Sequence, residues 1–252
     1  MVFERLRKGE TNSYFVTKYK SFDRLYNLND EAESVFEFAF GMTFGKTGEH
    51  REYRTGGQNR RKNGELFINT FQGKLAEFGI YRFFHEKNLA PTKPDLGMWE
   101  KGIWDSVDLI INDKKINVKS AAFFSSLLLL ETNDWDLEAK YIPNKVSGND
   151  IYDYFVLTRV KPDGKGIMRS HKLFYSDIVE KDKLKNIILD EKWLFDIVGF
   201  CTRDEIKSLI EIGFILPQNA LLNGKTKMDA ENYYCQAGDM HSCNELVNLL
   251  SQ

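Results

Sequence analysis

Hydrophobic and polar positions show helical periodicity in several parts of the chain. Between residues 66 and 86 apolar side chains recur at steps of three and four residues, which is the spacing of one helical face. Residues 30–40 begin acidic and continue with apolar helix formers, a pattern typical of another helix. Thr202 is a suitable N-cap for a helix over residues 203–213, and residues 243–250 predict a closing helix.

Strands are predicted where β-branched and aromatic residues run together. Residues 152–160 follow a Gly-Asn-Asp turn and predict a central strand, and residues 193–201 predict another. Residues 123–130 predict a buried strand or helix that ends at Glu131. Taken together, these elements predict an α/β or α+β fold in which helices flank a mixed central β-sheet.

Residues 104–120, WDSVDLIINDKKINVKS, predict a β-hairpin. Asp108 precedes the apolar run Leu-Ile-Ile, a turn follows over Asn-Asp-Lys-Lys, and the next residues alternate between apolar and polar. Successive side chains on a strand point to opposite faces, so Asn117 and Lys119 would share one face while their neighbours pack into the core. If the hairpin forms, Asp108 can lie beside them.

This arrangement resembles the core of the PD-(D/E)xK nucleases, the fold of most restriction endonucleases. In that family an Asp and an acidic-x-Lys pair converge on Mg²⁺ and the scissile phosphate. The resemblance implies that Asp108 and Asn117 bind Mg²⁺, and that Lys119 orients or activates the attacking water and stabilises developing negative charge. Asn117 departs from the family pattern, because an amide oxygen is a weaker ligand for a hard cation than a carboxylate.

The resemblance extends to the helix before the hairpin, in the segment FQGKLAEF at residues 71–78. The fold commonly sends a Glu from its first core helix toward the same metal, and Glu77 would fill that role. Lys74 and Ser120 are candidates for contacts with phosphate oxygens. Asp105 is the rival of Asp108 for the metal, but its neighbours are polar and the apolar strand begins only after Asp108.

Residues 45–65, GKTGEHREYRTGGQNRRKNGE, contain several glycines and no aliphatic side chain. This composition predicts a mobile basic loop. A flexible arginine-rich segment just ahead of a nuclease helix is suited to clamp phosphates and to reach base edges in a DNA groove. We therefore expect contacts with double-stranded DNA from Arg51, Arg54, Arg60, Arg61 and Lys62.

Composition places the chain among folded proteins. Of its 252 residues, 42% are hydrophobic and 13% aromatic, and the formal net charge is −2. This near balance argues against a uniformly basic DNA-binding surface but is compatible with a local positive groove. The length suits one nuclease domain over residues 1–252, with residues 1–64 as a helical N-terminal arm and basic loop.

Other kinds of site fit the sequence less well. The three cysteines form no CxxC pair, which argues against structural zinc and fits free thiols in a reducing compartment. Gly45-Lys46-Thr47 resembles the end of a Walker A loop, but the first glycine of that motif would fall at Phe40. The N-terminal residues lack the apolar core of a signal peptide, and no apolar run approaches about 18 residues, so a cytoplasmic protein without a membrane partner is expected.

The resemblance implies a Mg²⁺-dependent endodeoxyribonuclease, and the short chain without helicase or P-loop motifs favours a type II restriction endonuclease. A homodimer would place two sites on opposite strands of a palindrome. Two alternatives stay open: a non-catalytic DNA-binding protein in which Asn117 marks a decayed site, and a phage or repair nuclease of the same fold. An unrelated α/β protein with a coincidental hairpin would show no salt-dependent affinity for DNA.

Overall fold

The computed structural model describes residues 2–45, 53, 55–97 and 107–251, which form a mixed α/β protein. The helices are α1 (Asn29–Thr43), α2 (Asn63–Glu86), α3 (Gly164–Ser170), α4 (Lys181–Leu189), α5 (Arg203–Glu211) and α6 (Cys243–Leu250). The strands are β1 (Arg7–Lys8), β2 (Ser13–Phe15), β3 (Tyr26–Asn27), β4 (Leu109–Ile111), β5 (Lys114–Ala122), β6 (Leu127–Glu131), β7 (Tyr154–Lys161), β8 (Leu194–Thr202), β9 (Ile215–Leu216), β10 (Leu221–Leu222), β11 (Thr226–Lys227) and β12 (Asn232–Gln236). Within these residues, no helix combines the length and apolarity that crossing a bilayer requires.

A mixed five-stranded sheet forms the centre, with its strands in the order β3-β8-β7-β5-β4. The β4–β5 hairpin is antiparallel, β5 pairs in parallel with β7, and β8 runs antiparallel to both β7 and β3. The strands β1-β2-β10-β11 form a second mixed sheet, and β6-β12-β9 form an antiparallel third one. The predicted mixed central sheet is confirmed.

The β4–β5 hairpin is confirmed and has a tighter turn than the sequence pattern predicts. Its two turn residues, Asn112 and Asp113, have φ values of 48° and 61°. Positive φ at both positions is typical of a type I′ turn, and Asn and Asp tolerate this region better than most residues with a side chain. The register pairs Leu109 with Ile116, so the hairpin residue just before β4 lies opposite Asn117.

Side-chain alternation divides the interior into two hydrophobic cores, one on each face of the central sheet. On the first face, Ile116 and Val156 pack with apolar residues of α1 and α2. On the second face, Phe155 and Leu157 pack with residues of β6, β12 and α5. The central sheet is therefore covered by helices on one side and by the small antiparallel sheet with α5 on the other.

Local sequence signals account for the longer helices and for the main strands of the central sheet. The predicted helices are confirmed as α1, α2, α5 and α6, and the strands predicted over residues 152–160 and 193–201 are confirmed as β7 and β8. Helix α5 begins as predicted, because the Thr202 side chain forms a capping box with Glu205. Gly213, with φ of 69°, follows its end.

The N-terminal segment is part strand and part helix, unlike the helical arm predicted over residues 1–64. Strands β1 and β2 join β10 and β11, and β3 forms an edge of the central sheet. The buried Gln236 side chain ties the segment down: Oε1 accepts the Thr17 backbone N–H at 2.8 Å, and Nε2 donates to the Glu4 carbonyl at 2.9 Å. Helix α1 buries Phe36 in the first core, so it belongs to the body of the protein.

Candidate active site

Asp108 lies directly before β4, and its carboxylate reaches across to β5. Its Oδ2 atom accepts the Val118 backbone N–H at 2.7 Å and the Asn117 Nδ2 at 3.1 Å. The hairpin register produces this contact, because the position before β4 faces Asn117 on the neighbouring strand. The two hydrogen bonds hold the Asp108 carboxylate beside β5, as the sequence predicts.

Asn117 is buried, with 4% of its surface exposed. Its amide nitrogen donates to Asp108, whereas its carbonyl oxygen, Oδ1, is buried with no hydrogen-bond partner in the described part of the chain. A buried acceptor without a partner costs roughly 1–3 kcal/mol, so it calls for an explanation such as a bound ion. Together, the Asp108 carboxylate and the Asn117 Oδ1 offer oxygen ligands of the kind that Mg²⁺ binds.

Lys119 lies two residues beyond Asn117 on the same face of β5. The parallel register places Asn117 beside Phe155 and Lys119 beside Leu157, and both partners belong to the second core. Within the described residues, the Lys119 ammonium makes no hydrogen bond or ion pair, and its Nζ lies 6.0 Å from the centre of the Trp135 ring. A half-buried ammonium without a carboxylate partner is well suited to bind an anion.

Glu77 and Lys74 form an ion pair on α2, with Nζ and Oε2 2.7 Å apart. Lys74 is buried at 8% exposure, and its ammonium also lies 5.5 Å from the Phe38 ring. Helix α2 packs on the face of β5 that carries Ile116, which is opposite to the face of Asn117. The metal role of Glu77 and the phosphate contact of Lys74 therefore stay predictions that this arrangement does not favour.

Ser120 also faces α2. Its hydroxyl donates to the Gln72 carbonyl oxygen at 3.3 Å, which ties β5 to the helix. The alternation of β5 directs Ser120 away from the face that carries Lys119. The phosphate contact of Ser120 thus stays a prediction. The hydrogen bond to Gln72 gives this side chain a structural role in the metal-free protein.

The basic residues predicted to bind DNA fall into two groups. Arg51 and Arg54 lie outside the described residues, as does Asp105, the rival of Asp108. Arg60 is exposed, and Arg61 is half-buried and donates to the Tyr53 carbonyl at 3.4 Å. Lys62 pairs with Asp177, with 2.5 Å between Nζ and Oδ2, and the pKa of this carboxyl is lowered chiefly by that hydrogen bond.

Residues 55–62 are held against the body of the protein, so the prediction of a mobile loop is wrong for this part. The Thr55 backbone N–H donates to Glu131 at 3.0 Å, and the Asn59 amide donates to Asp229 at 2.5 Å. The Gln218 side chain also donates to the Gly56 carbonyl at 2.9 Å. The local sequence contains no sign of these partners, which lie more than 70 residues away along the chain.

The metal ligands at this site would be few. Within the described ranges, there is no cluster of three or more His, Cys, Asp or Glu side chains that could hold a metal ion. Asp108 and Asn117 supply one carboxylate and one amide, and Mg²⁺ commonly completes its octahedron with water and substrate phosphate oxygens. The site thus suits a weakly held Mg²⁺ better than a structural metal.

Sequence reasoning missed Trp135 as a residue of this site. It follows β6, is 3% exposed, and lies beside Lys119 because the aromatic residues of the second core hold it there. No spacing in the local sequence relates it to Lys119, so only the tertiary structure reveals the contact.

Three side chains therefore lie on one face of the β4–β5 hairpin, near the edge of the central sheet: Asp108, Asn117 and Lys119. They provide two oxygen ligands and one cation from a single hairpin. Comparisons of the chain with protein-family models, with curated proteins and with solved structures found no match.

Proposed function

We propose that the protein is a Mg²⁺-dependent endodeoxyribonuclease, and specifically a type II restriction endonuclease that cuts a defined duplex sequence. One observation carries the proposal. The Asp108 carboxylate is bonded to Asn117, the Oδ1 of Asn117 is buried without a partner among the described residues, and Lys119 lies on the same face without a carboxylate partner there. A PD-(D/E)xK site contains an Asp followed by an acidic-x-Lys pair, and here Asn117 takes the acidic position of that order.

The order of the secondary structure elements supports a nuclease core of this kind. Helix α2 precedes the β4–β5 hairpin, β7 then adds in parallel to β5, and α3 and α4 lead to β8. The candidate residues lie on the hairpin strands, where that family carries its Asp and its acidic-x-Lys pair. A restriction-endonuclease-like core is therefore the arrangement we infer for this mixed sheet.

The site residues fit Mg²⁺ in their chemistry. Asn117 donates its amide nitrogen to Asp108, so its carbonyl oxygen is the atom that remains for a cation. Among the described residues of the site, Asp108 supplies the negative charge that would attract the ion. When bound, Mg²⁺ would offset negative charge on the phosphate and lower the pKa of nearby water.

The remaining chemistry would fall to Lys119. Its ammonium would bind a non-bridging phosphate oxygen or hold the attacking water in line with the scissile bond. It would also stabilise the negative charge that builds up as the water oxygen bonds to phosphorus and the P–O bond to the leaving group breaks. The attacking water would release a proton to solvent and the leaving oxygen would take one up, so the overall result is hydrolysis of one phosphodiester bond.

Cleavage of unmodified plasmid and phage DNA would test this proposal. We expect discrete fragments with Mg²⁺ and none in chelator, and loss of cutting in Asp108→Ala and Lys119→Ala. Lys115→Ala is a matched control on the same strand, because Lys115 bonds Asn149 at 2.8 Å and lies outside the proposed machinery. Cutting that survives in Lys119→Ala, while DNA binding is unchanged, would overturn the assignment.

A second candidate function follows from Asn117 itself, which stands where an acidic ligand is usual. A decayed nuclease site would bind DNA equally well with Mg²⁺ and with chelator, and would cut no unmodified, modified or branched substrate. A phage or repair nuclease would instead cut branched or damaged DNA. Absence of any salt-dependent DNA affinity would contradict all of these functions, because no counterions would be released.

A further inference from the structure

We propose that Trp135 is a positioning residue for Lys119, holding the lysine ammonium at the site through the face of its indole ring. The inference rests on the proposed function for its consequence in catalysis. The contact itself can be tested without any cleavage. Trp135 would act through Lys119 and would touch neither the substrate nor the reacting atoms.

The contact between the two side chains is the first observation. The Lys119 Nζ lies 6.0 Å from the Trp135 ring centre, at the outer limit of a favourable cation–π interaction, and indole is the strongest aromatic partner for a cation. Within the described residues, the Lys119 side chain has no hydrogen bond or ion pair that would hold its ammonium instead. Other lysines are held by carboxylates: Lys185, for example, pairs with both Glu33 and Glu37.

The burial and close packing of Trp135 are the second observation. Trp135 is 3% exposed, and its ring centre lies 5.0 Å from that of Tyr141 and 5.1 Å from that of Phe155. Phe155 in turn is the register neighbour of Asn117 on β5. The indole is therefore fixed relative to the strand that carries both Asn117 and Lys119.

A fixed indole has a clear consequence for a flexible lysine. Four rotatable bonds separate the Lys119 ammonium from its backbone, and without a partner the ammonium would occupy many positions. An aromatic face restricts these positions while leaving the ammonium protons free for a phosphate oxygen. A carboxylate partner would restrict the lysine equally well but would compete with the phosphate.

Steady-state cleavage kinetics of Trp135→Phe and Trp135→Leu would test the positioning role. We expect Trp135→Leu to lower kcat roughly 10- to 100-fold with KM little changed, because misplacing one group slows the chemistry more than binding. Trp135→Phe keeps an aromatic face and should restore most of kcat.

A matched control separates positioning from simple loss of packing. Phe214→Leu removes another aromatic ring of the second core, one that lies under the Arg5 guanidinium at 4.7 Å and beside Tyr234. We expect it to lower the thermal midpoint as Trp135→Leu does and to leave kcat at the wild-type value. Equal losses of kcat in the two variants would overturn the proposal.

Tryptophan fluorescence provides a test that needs no activity. In the folded state, wild-type protein and Lys119→Met should differ in their tryptophan emission. This difference should vanish when Trp135→Phe is introduced into both proteins. Its absence would refute the contact even if the enzyme cuts DNA. If the difference is present and wild-type protein cuts no DNA, the proposed function fails and the contact stands.

Discussion

Asn117 donates its amide nitrogen to the Asp108 carboxylate over 3.1 Å and leaves its own carbonyl oxygen buried without a partner in the described chain. The pair therefore holds one negative charge where two acidic ligands would hold two. Without a metal this arrangement is the more stable one, because two carboxylates in hydrogen-bond contact repel each other unless they share a proton or a cation. If the proposed Mg²⁺ site is present, Asn117 lowers the affinity for the metal and stabilises the metal-free protein.

Asn117→Asp should make the metal-free protein less stable and should raise its affinity for Mg²⁺. We expect the free energy of unfolding in chelator to fall by about 1–3 kcal/mol, because the substitution removes a donor to Asp108 and adds a like charge. Added Mg²⁺ should stabilise the variant more than the wild type, and half-maximal cleavage should require less Mg²⁺. Thermal unfolding with and without Mg²⁺ measures both effects. Asn149→Asp adds the same charge elsewhere, and an equal Mg²⁺ response in that control would contradict a metal at Asp108.

The Arg159–Asp196 pair should be the most costly ion pair to break among those described. The two side chains are 2% and 3% exposed, and Arg159 also donates to the backbone carbonyls of Lys20, Ser21 and Ser125. Asp196→Asn would leave the buried guanidinium without its counter-charge. We expect a loss of roughly 3–5 kcal/mol in urea denaturation.

An exposed pair provides the control for that experiment. Lys62 and Asp177 are 38% and 51% exposed in their side chains, so Asp177→Asn should lower the free energy of unfolding by no more than about 1 kcal/mol. Similar losses in Asp177→Asn and Asp196→Asn would show that burial of the Arg159 pair does not determine its contribution.

The hairpin and the main helices could be predicted because their signals are local. Apolar spacing along α2 and alternation along β5 each set a face, and the register of a two-residue turn then brings Asp108 opposite Asn117. The contact at the centre of the site therefore follows from about ten consecutive residues. That is why the sequence alone was sufficient to place it.

Strand β12 and the role of Trp135 could not be predicted because their reasons are tertiary. Asn232 and Gln236 give β12 a polar sequence, yet both are buried, and Gln236 finds its partners more than 200 residues away in the N-terminal segment. Trp135 meets Lys119 only through the packing of the second core. Helix α2, which carries Glu77, was predicted correctly. The face of β5 that this helix covers depends on tertiary packing, so the position of Glu77 relative to Asn117 could not be predicted.

The stability of the wild-type protein should fall at alkaline pH through Tyr26. The Tyr26 hydroxyl donates to Glu86 at 2.6 Å, and burial, together with this hydrogen bond, raises the pKa of Tyr26 well above its ordinary value of 10.0. Because the pKa of Tyr26 is raised in the folded state, the stabilisation that Tyr26 gives to the folded protein is complete below pH 10. It is lost as the pH rises above that value. Urea denaturation between pH 8 and pH 11, in steps, should show a steeper decline for wild type than for Tyr26→Phe. Parallel curves would contradict this role.

The three buried thiols should resist alkylation in the native protein. The pKa of the Cys235 thiol is raised by its hydrogen bond with Cys201, whose sulfur lies 3.6 Å away, and by burial, and burial raises the pKa of Cys243 to about 12. Because the thiolate is the reactive form, iodoacetamide at pH 8 should modify Cys235 and Cys243 only as fast as the protein opens, and raising the pH to 9 should add little. Mass spectrometry of native and guanidinium-treated samples measures this. Ser147→Cys introduces an exposed thiol as the reactive control. If Cys243 is modified as fast as this control thiol, burial does not protect Cys243.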